Sequence, residues 1–356
     1  MGTIVTLRRE IDNQAIAHAF YNPHSLIAAR VVTRNVGEEV DEAFFERRIR
    51  AAISRRSLLA QRRNAVRLVH GESDFLPGLI IDRFDDIVSF QCLSAGFDTR
   101  IDMLISILQR VLHPRAIVEK NDSHLRKLEG LPIRESMLVG SETTAHIFDE
   151  AGTKYAVDVL SGQKTGFFLD QMENRTRTRA YVAKGDSALD LFCNEGGFAL
   201  NLALAGASHV VAVDSSKTAL DHLASNAVLN GVSEKIKGIE ADIFEYLKAP
   251  QDPFDVVVLD PPGLVRSKKE IATARKAYVN LNTNAMKLVK PEGILVTASC
   301  SHHIPSELFH EIIRESGRRA HRQITILEER GAGIDHPRLA SMIETEYLKV
   351  LYIRVH

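Results

Sequence analysis

Cysteine is scarce here: 356 residues carry three, Cys92, Cys193 and Cys300, far apart in the chain. An odd, scattered set excludes a disulfide framework and a thiolate zinc cluster, so each is read as buried packing or as a reactive thiol, and no metal site is expected. Also lacking is any apolar run near the roughly 20 residues that cross a bilayer, and the N-terminus shows no signal-peptide stretch. The default location is therefore the cytoplasm, with no membrane partner. Net charge is nearly absent as well, at -1. That excludes nucleic-acid binding through bulk charge, because proteins that bind so are clearly basic. Internal repeats and low-complexity tracts are missing too.

What is present has the balance of an ordinary globular protein, 45% hydrophobic and 26% charged, in a length that suits two or three domains. "EAFFERRIRAAISRRSLLAQRR" repeats apolar residues at helical spacing, with Phe45, Ile49, Ile53 and Leu58 or Leu59 near one face. The arginine cluster from Arg47 to Arg67, which includes Arg56 and reaches beyond this stretch, reads as a solvated face balanced by the preceding acids. "LPGLIIDRFDDIVSFQCLS" reads as a hairpin around Asp85 and Asp86, "RIDMLISILQRVLH" as a helix ended by Pro114, and "AIVEK" as a strand. These define an α+β domain over residues 36–150, preceded by a short β-rich segment over 1–35.

From Leu189 the pattern becomes strict alternation: "SALDLF", "HVVAVD", "KIKGIEAD", "FDVVVLD" and "GILVTAS", separated by helical stretches. Apolar runs without period-two alternation, spaced by helices, predict a parallel sheet covered on both faces. "ITILEE" and "EYLKVLYIRVH" would add an edge hairpin. The fold class is therefore α/β, a Rossmann-like domain over residues 151–356.

Ligands of such sheets bind at the carboxyl ends of the strands. The first strand runs into "DLFCNEGGF", where Gly196 and Gly197 permit a tight turn and close backbone approach. The second ends at Asp214, placed to accept the hydroxyls of an adenosine ribose, and the third at Asp242, placed to accept from an adenine amino group. The fourth ends in Asp260-Pro261-Pro262. A nicotinamide dinucleotide wants G-x-G-x-x-G around its pyrophosphate, whereas here Glu195 stands in the turn. S-adenosylmethionine carries a cationic sulfonium and no phosphate, so acids favour it, and it is the expected cofactor.

The stretches "GESDFLPGLIIDRF" (71–84), "SGQKTGFFLDQMENR" (161–175), "DLFCNEGGF" (190–198), "FDVVVLDPPGLV" (254–265), "TASCS" (297–301) and "EYLKV" (346–350) resemble the large-subunit ribosomal RNA methyltransferase I group of class I methyltransferases, which act on cytosine C5. The resemblance covers nearly the whole chain and implies a seven-stranded, parallel-dominated sheet. It implies that Lys164, Thr165, Gly166, Phe168, Asp170 and Gln171 belong to a segment folding over the cofactor, with Arg175 following it. The expected cofactor site further takes in Asp190, Phe192, Asn194 and Phe198 around the first turn, Ser215 after Asp214, Ile243 after Asp242, and Pro261 beside Asp260. The family also implies an N-terminal RNA-binding PUA domain, of which residues 2–32 match the second half. The partners expected are RNA, ribosomal in kind, and a second copy of the chain.

Pyrimidine C5 is a poor nucleophile until a thiolate adds at C6. The resemblance places that nucleophile at Cys300, just after "GILVTAS", with Asp260 holding the base edge or the protonated ring nitrogen. Cys193 and Cys92 are read as packing. Gly263 and Leu264 supply no aromatic after the two prolines, which disfavours exocyclic amine methylation, and the base that removes the C5 proton is unassigned, with His302 and His303 near in sequence. The basic run "RSKKEIATARK" (266–276) is read either as a phosphate contact or as a solvated helix face. Uracil C5 methylation, a non-catalytic RNA-binding protein that keeps the cofactor fold, and a nicotinamide oxidoreductase are the competing readings.

Overall fold

The computed structural model describes residues 1–140, 143–249, 252–265 and 268–356. Its contacts divide the chain into two compact units, Met1–Glu150 with Val157–Asp170 and Ile334–Thr345, and Ala151–Ala156 with Gln171–Gly333 and Glu346–His356.

The first unit opens with three antiparallel strands, β1 (Thr3–Arg8), β2 (Ala15–Tyr21) and β3 (Ala29–Thr33), too few to close a barrel. Helix α1 (Glu42–Arg55) follows, its first turn capped by Asp41, which accepts the Phe44 amide at 2.8 Å. A mixed sheet in the order β4-β5-β6-β7-β8 comprises Ala65–His70, Leu79–Phe84, Ile87–Cys92, Ala116–Asn121 and Arg134–Val139. Phe45, Ile49, Leu79, Phe90 and the apolar face of α2 (Ile101–Leu112) share one core.

Two expectations fail in this unit. The α1 periodicity does not run through to Leu58: the backbone breaks at Arg56 (φ -105°, ψ 7°) before a one-turn helix, Ser57–Ala60, and Leu58 stands exposed. Nor are all the arginines solvated. Arg56 and Arg67 are buried, Arg56 Nη2 lying 2.7 Å from Asp74 and Arg67 gripping both oxygens of Asp82 at 2.8 Å. Helical spacing alone does not distinguish a solvated arginine from one that meets a buried acid on another strand.

Strands β9 (Ala145–Glu150) and β10 (Thr153–Asp158) lie where the chain passes between units. The second unit is built on seven strands, β11 (Ser187–Leu191), β12 (His209–Asp214), β13 (Ile236–Glu240), β14 (Phe254–Leu259), β15 (Val289–Ser299), β16 (Ile324–Arg330) and β17 (Lys349–Val355). They are ordered β13-β12-β11-β14-β15-β17-β16. The first five run parallel, while β17 lies antiparallel to both β15 and β16. Side chains on both faces of β11, β14 and β15 are buried, as their unbroken apolar runs require.

Helices α3 (Met172–Thr178), α4 (Gly197–Ala205), α5 (Lys217–Leu229), α6 (Ile271–Lys287) and α7 (Ser306–Ala320) surround these strands in sequence. The strand order reverses between β11 and β14, and it is outside the carboxyl ends of the strands at such a switch point that an open α/β sheet takes its ligand. No helix among the described residues is long and apolar enough to cross a membrane.

Candidate active site

The turn after β11 is the most distorted backbone of the second unit. Phe192 (φ 64°), Asn194 (φ 47°) and Gly196 (φ 86°) all occupy the left-handed region within five residues. For a residue as bulky as Phe192 that conformation is rare, and such strain persists where surrounding structure imposes it, often at a ligand site. The Asn194 amide donates to Asp214 Oδ2 at 2.9 Å, and the Ser216 amide to its Oδ1 at 2.9 Å, so the β12 carboxylate sets the shape of the β11 turn.

Gly196 and Gly197 have a packing reason beyond the turn itself. A Cβ on Gly196 would lie 2.1 Å from Leu223 Cδ1, and one on Gly197 would lie 2.8 Å from Arg175 Cδ. Arg175 is itself buried, with its guanidinium 5.8 Å from the centre of the Tyr155 ring. Phe198, the second residue of α4, is buried.

Asp190 is only 1% exposed, with Oδ2 accepting the Ala199 amide at 2.8 Å and Oδ1 buried without a hydrogen-bond partner. Burial, aided by the charges of Asp260 and Asp214, pushes its carboxyl well above the usual carboxylate range. Asp242 serves as the N-cap of a one-turn helix, Ile243–Tyr246, accepting the Glu245 amide at 3.0 Å. Ile243 points into the apolar core, and Ser215 is exposed.

At the end of β14, Asp260 Oδ2 accepts from Gln171 Nε2 at 2.9 Å, and Gln171 Oε1 accepts from Asn174 at 2.7 Å. Pro261 is buried, and its carbonyl lies 3.9 Å from Cys300 Sγ. A Cβ on Gly263 would sit 3.8 Å from that sulfur, in ordinary contact. The three thiols differ sharply. Cys92 and Cys193 are buried, and burial drives both thiols far above the ordinary range, whereas Cys300 is half-exposed at the sheet crest.

The loop of Cys300 is held from two sides. The Tyr278 hydroxyl on α6 lies 3.1 Å from Ser299 Oγ and 3.0 Å from Ser301 Oγ. Lys349 Nζ on β17 donates to the Ser301 carbonyl at 2.8 Å and to the Tyr347 carbonyl at 2.8 Å. Burial raises the Tyr278 hydroxyl and lowers the Lys349 ammonium to about 8. Sequence reading gave neither residue a role. The signal available was Lys349 at the head of the mostly apolar strand β17, where an unshielded ammonium is costly.

The other expected residues, Lys164, Thr165, Gly166, Phe168 and Asp170, belong to the first unit. There Lys164 Nζ lies 2.7 Å from Asp170 Oδ2 and 4.2 Å from the centre of the Phe168 ring. Thr165 Oγ1 hydrogen-bonds Asp82, and the Gly166 Cβ position is crowded by Phe84 and Val159. The segment is therefore stapled to its own unit, with Lys164 also in a left-handed conformation (φ 54°). His302 is exposed, its ring 5.5 Å from that of Tyr347. In the basic run, Arg275 pairs with Glu315 at 2.6 Å, whereas Arg266 and Ser267 lie outside the described residues.

Residues 146–294 match the TRM5/TYW2 methyltransferase domain. The chain is 38% identical over 354 residues to the ribosomal RNA large subunit methyltransferase I of Klebsiella pneumoniae (strain 342), covering 97% of this chain and 88% of that one. It is equally similar, at 38%, to the protein of that name from Escherichia coli O139:H28, covering 89% of it. Among solved structures, SMU.776 in complex with SAH superposes with a TM-score of 0.87 over 99% of this chain and 92% of that one, at 21% identity. Trm5b from Pyrococcus abyssi does so with 0.56 over 76% and 73%, at 18% identity. The solved structures share the fold of this chain.

Proposed function

We propose, from the premise that the chain belongs to the ribosomal RNA large subunit methyltransferase I family, that it forms 5-methylcytosine in ribosomal RNA, using S-adenosylmethionine as donor and Cys300 as covalent nucleophile. The observation that carries this reading is the contrast among the thiols: Cys300 alone of the three is half-exposed, and it stands beside Pro261 and Gly263, which follow Asp260 at the crest of the sheet.

The residues around the β11 turn fit the donor. Asp190 Oδ1 is a buried acceptor lacking a partner, and Asp214, Asp260 and Glu195 add acidic character. That donor set attracts a cation and repels a pyrophosphate. Asp190, Phe192, Asn194, Gly196, Gly197 and Phe198 would hold the methionine end; Asp214 and Ser215 the ribose; Asp242 and Ile243 the adenine. Gln171 and Arg175, which belong to the same unit as the turn, would complete the site with Pro261 and Asp260. When bound, S-adenosylmethionine supplies an electrophilic methyl group on a positively charged sulfur.

The target base must be unpaired or flipped out, at a cost of about a few kcal/mol. The Cys300 thiolate adds to C6, and the ring electrons move to C5, which takes the methyl group. Asp260, with Oδ2 already oriented by Gln171, stabilises positive charge on the ring nitrogen during addition. Loss of the C5 proton to solvent then expels the Cys300 thiolate and restores the aromatic ring. Gly263 leaves room for a base against the sulfur. Residues 151–356, less the stretches 157–170 and 334–345 that group with the first unit, form the catalytic domain in this reading, 36–150 an accessory domain and 1–35 an RNA-docking segment of PUA type.

Ribosomal RNA from a strain lacking this gene is incubated with donor and either the intact protein or Cys300→Ala, and its nucleosides are measured by mass spectrometry. The expected result is 5-methylcytosine with the intact protein and at least about a thousandfold less with the variant. 5-Methyluridine in its place would move the activity to uracil, and full product from Cys300→Ala would remove the thiol from the mechanism.

A further inference from the structure

Lys349 is only 2% exposed, and among the described residues its Nζ hydrogen-bonds backbone carbonyls rather than a carboxylate. An ammonium removed from water without a carboxylate is costly, and burial readily shifts a lysine toward the neutral amine, which can accept a proton. Both contacts of Nζ are backbone carbonyls, Ser301 and Tyr347, each at 2.8 Å. They occupy two N–H bonds of the nitrogen. The remaining tetrahedral position carries a lone pair on the amine or a third N–H on the ammonium.

Ser299 pairs with Lys349 in the antiparallel ladder of β15 and β17, so the lysine sits directly beneath the loop that carries Cys300. The groups facing that loop are few. Tyr278 from α6 bonds the serines on either side of Cys300 and stays neutral, because burial raises its hydroxyl. Asp260 lies at the end of β14, Glu346 precedes Lys349 in the chain, and His302 packs near Tyr347.

We propose that Lys349 is a positioning residue for the covalent step: its amine takes the proton of the Cys300 thiol and, as an ammonium, holds the thiolate ready to add to the pyrimidine. The S–H bond breaks, a third N–H bond forms on Nζ, and the electron pair stays on sulfur; the thiolate expelled from C6 at the end of the cycle regenerates the pair. Burial lowers Lys349 to about 8, while the charges of Cys300 and Glu346 oppose that shift, which leaves the amine able to exchange this proton near neutral pH. The inference rests on Cys300 being the nucleophile.

The test is the rate of alkylation of Cys300 by iodoacetamide, read by peptide mass spectrometry on the full chain from about pH 5 to about pH 10. In the intact protein the rate should inflect at least about one unit below the ordinary thiol value of about 8.5. In Lys349→Met, an apolar replacement of similar length, the rate at neutral pH should fall about tenfold or more and converge with the intact protein at the alkaline end.

A folded Lys349→Met with the profile of the intact protein overturns the proposal, and so does a loss by the same factor at every pH, which a purely structural lysine would give. Should that variant fail to fold, the intact protein decides, because an inflection at or above about 8.5 overturns the proposal by itself. A shifted profile together with full methylation by Cys300→Ala would sink the nucleophile reading and leave the proton pair standing.

Discussion

Asp74 in the first unit and Asp190 in the second are both buried carboxyls, at 0% and 1% exposure, and they are accommodated in opposite ways. Asp74 receives Arg55 at 2.8 Å, Arg56 at 2.7 Å and the His70 amide at 2.7 Å. Burial alone would raise its pKa, but the guanidinium of Arg56 more than reverses that, and the carboxyl lies below the usual range. Asp190 has one backbone amide, one oxygen without a partner, and a pKa pushed up by burial and by neighbouring acids. A buried acid matched by cations is part of the framework. One left with spare acceptor capacity near other acids is disposed toward a cationic ligand.

The sharpest way to break that comparison is to truncate each acid. Asp74→Ala strands the buried Arg56 and should cost about 3–5 kcal/mol in chemical denaturation, whereas Asp190→Asn should cost less than about 1 kcal/mol. Equal losses would mean that Asp190 is structural after all. A smaller effect is expected at the strained turn. Gly196→Ala meets both a positive φ and Leu223, and should lose about 2–3 kcal/mol. Gly185→Ala, with φ 97° but nothing within 4 Å, should lose about 1 kcal/mol. If the two match, side-chain packing at the crest contributes nothing to the shape of the turn.

The smallest effects are those of pH, and their signs differ. Asp74 binds its proton less readily folded than unfolded, so its stabilisation is present above the unfolded carboxylate value of about 3.9 and is lost as pH falls through the depressed folded value. Asp190 keeps its proton more readily when folded, so its contribution is full below about 3.9 and declines as pH rises toward the raised value. A cation binding beside it should expel that proton. Calorimetry of S-adenosylmethionine binding in buffers of different ionisation enthalpy should therefore show release of a fraction of a proton, abolished in Asp190→Asn. Equal release by both proteins would move the linkage to another group.

Much of the second unit was legible in the sequence because its signals are local. "HVVAVD" and "FDVVVLD" are continuous apolar runs of strand length, and the turn residues after β11 and the prolines after β14 announce strand ends. In the first unit the hairpin around Asp85 and the helix before Pro114 were equally readable. Less legible was the end of α1, where the apolar spacing continues past Arg56 although the helix does not, because Arg56 turns inward to Asp74 and to the Asp335 carbonyl. Nothing in the spacing of Ile334–Thr345 says that it groups with the first unit. Asp335 is drawn there by the Arg67 amide and by Arg56, more than 250 residues earlier in the chain.

Periodicity and turn propensity act over a few residues, so the α/β class, the strand-end turns and the acids and thiols available for chemistry can be read along the chain. Which thiol stays accessible, and what surrounds it, depends on how distant segments pack. Tyr278, Cys300 and Lys349 converge because α6 packs on the sheet and β17 pairs antiparallel with β15 in a register that sets Lys349 opposite Ser299. Contacts of that kind follow from how strands pair and helices pack across long stretches of chain, and the charge state of a buried lysine follows from its loss of water.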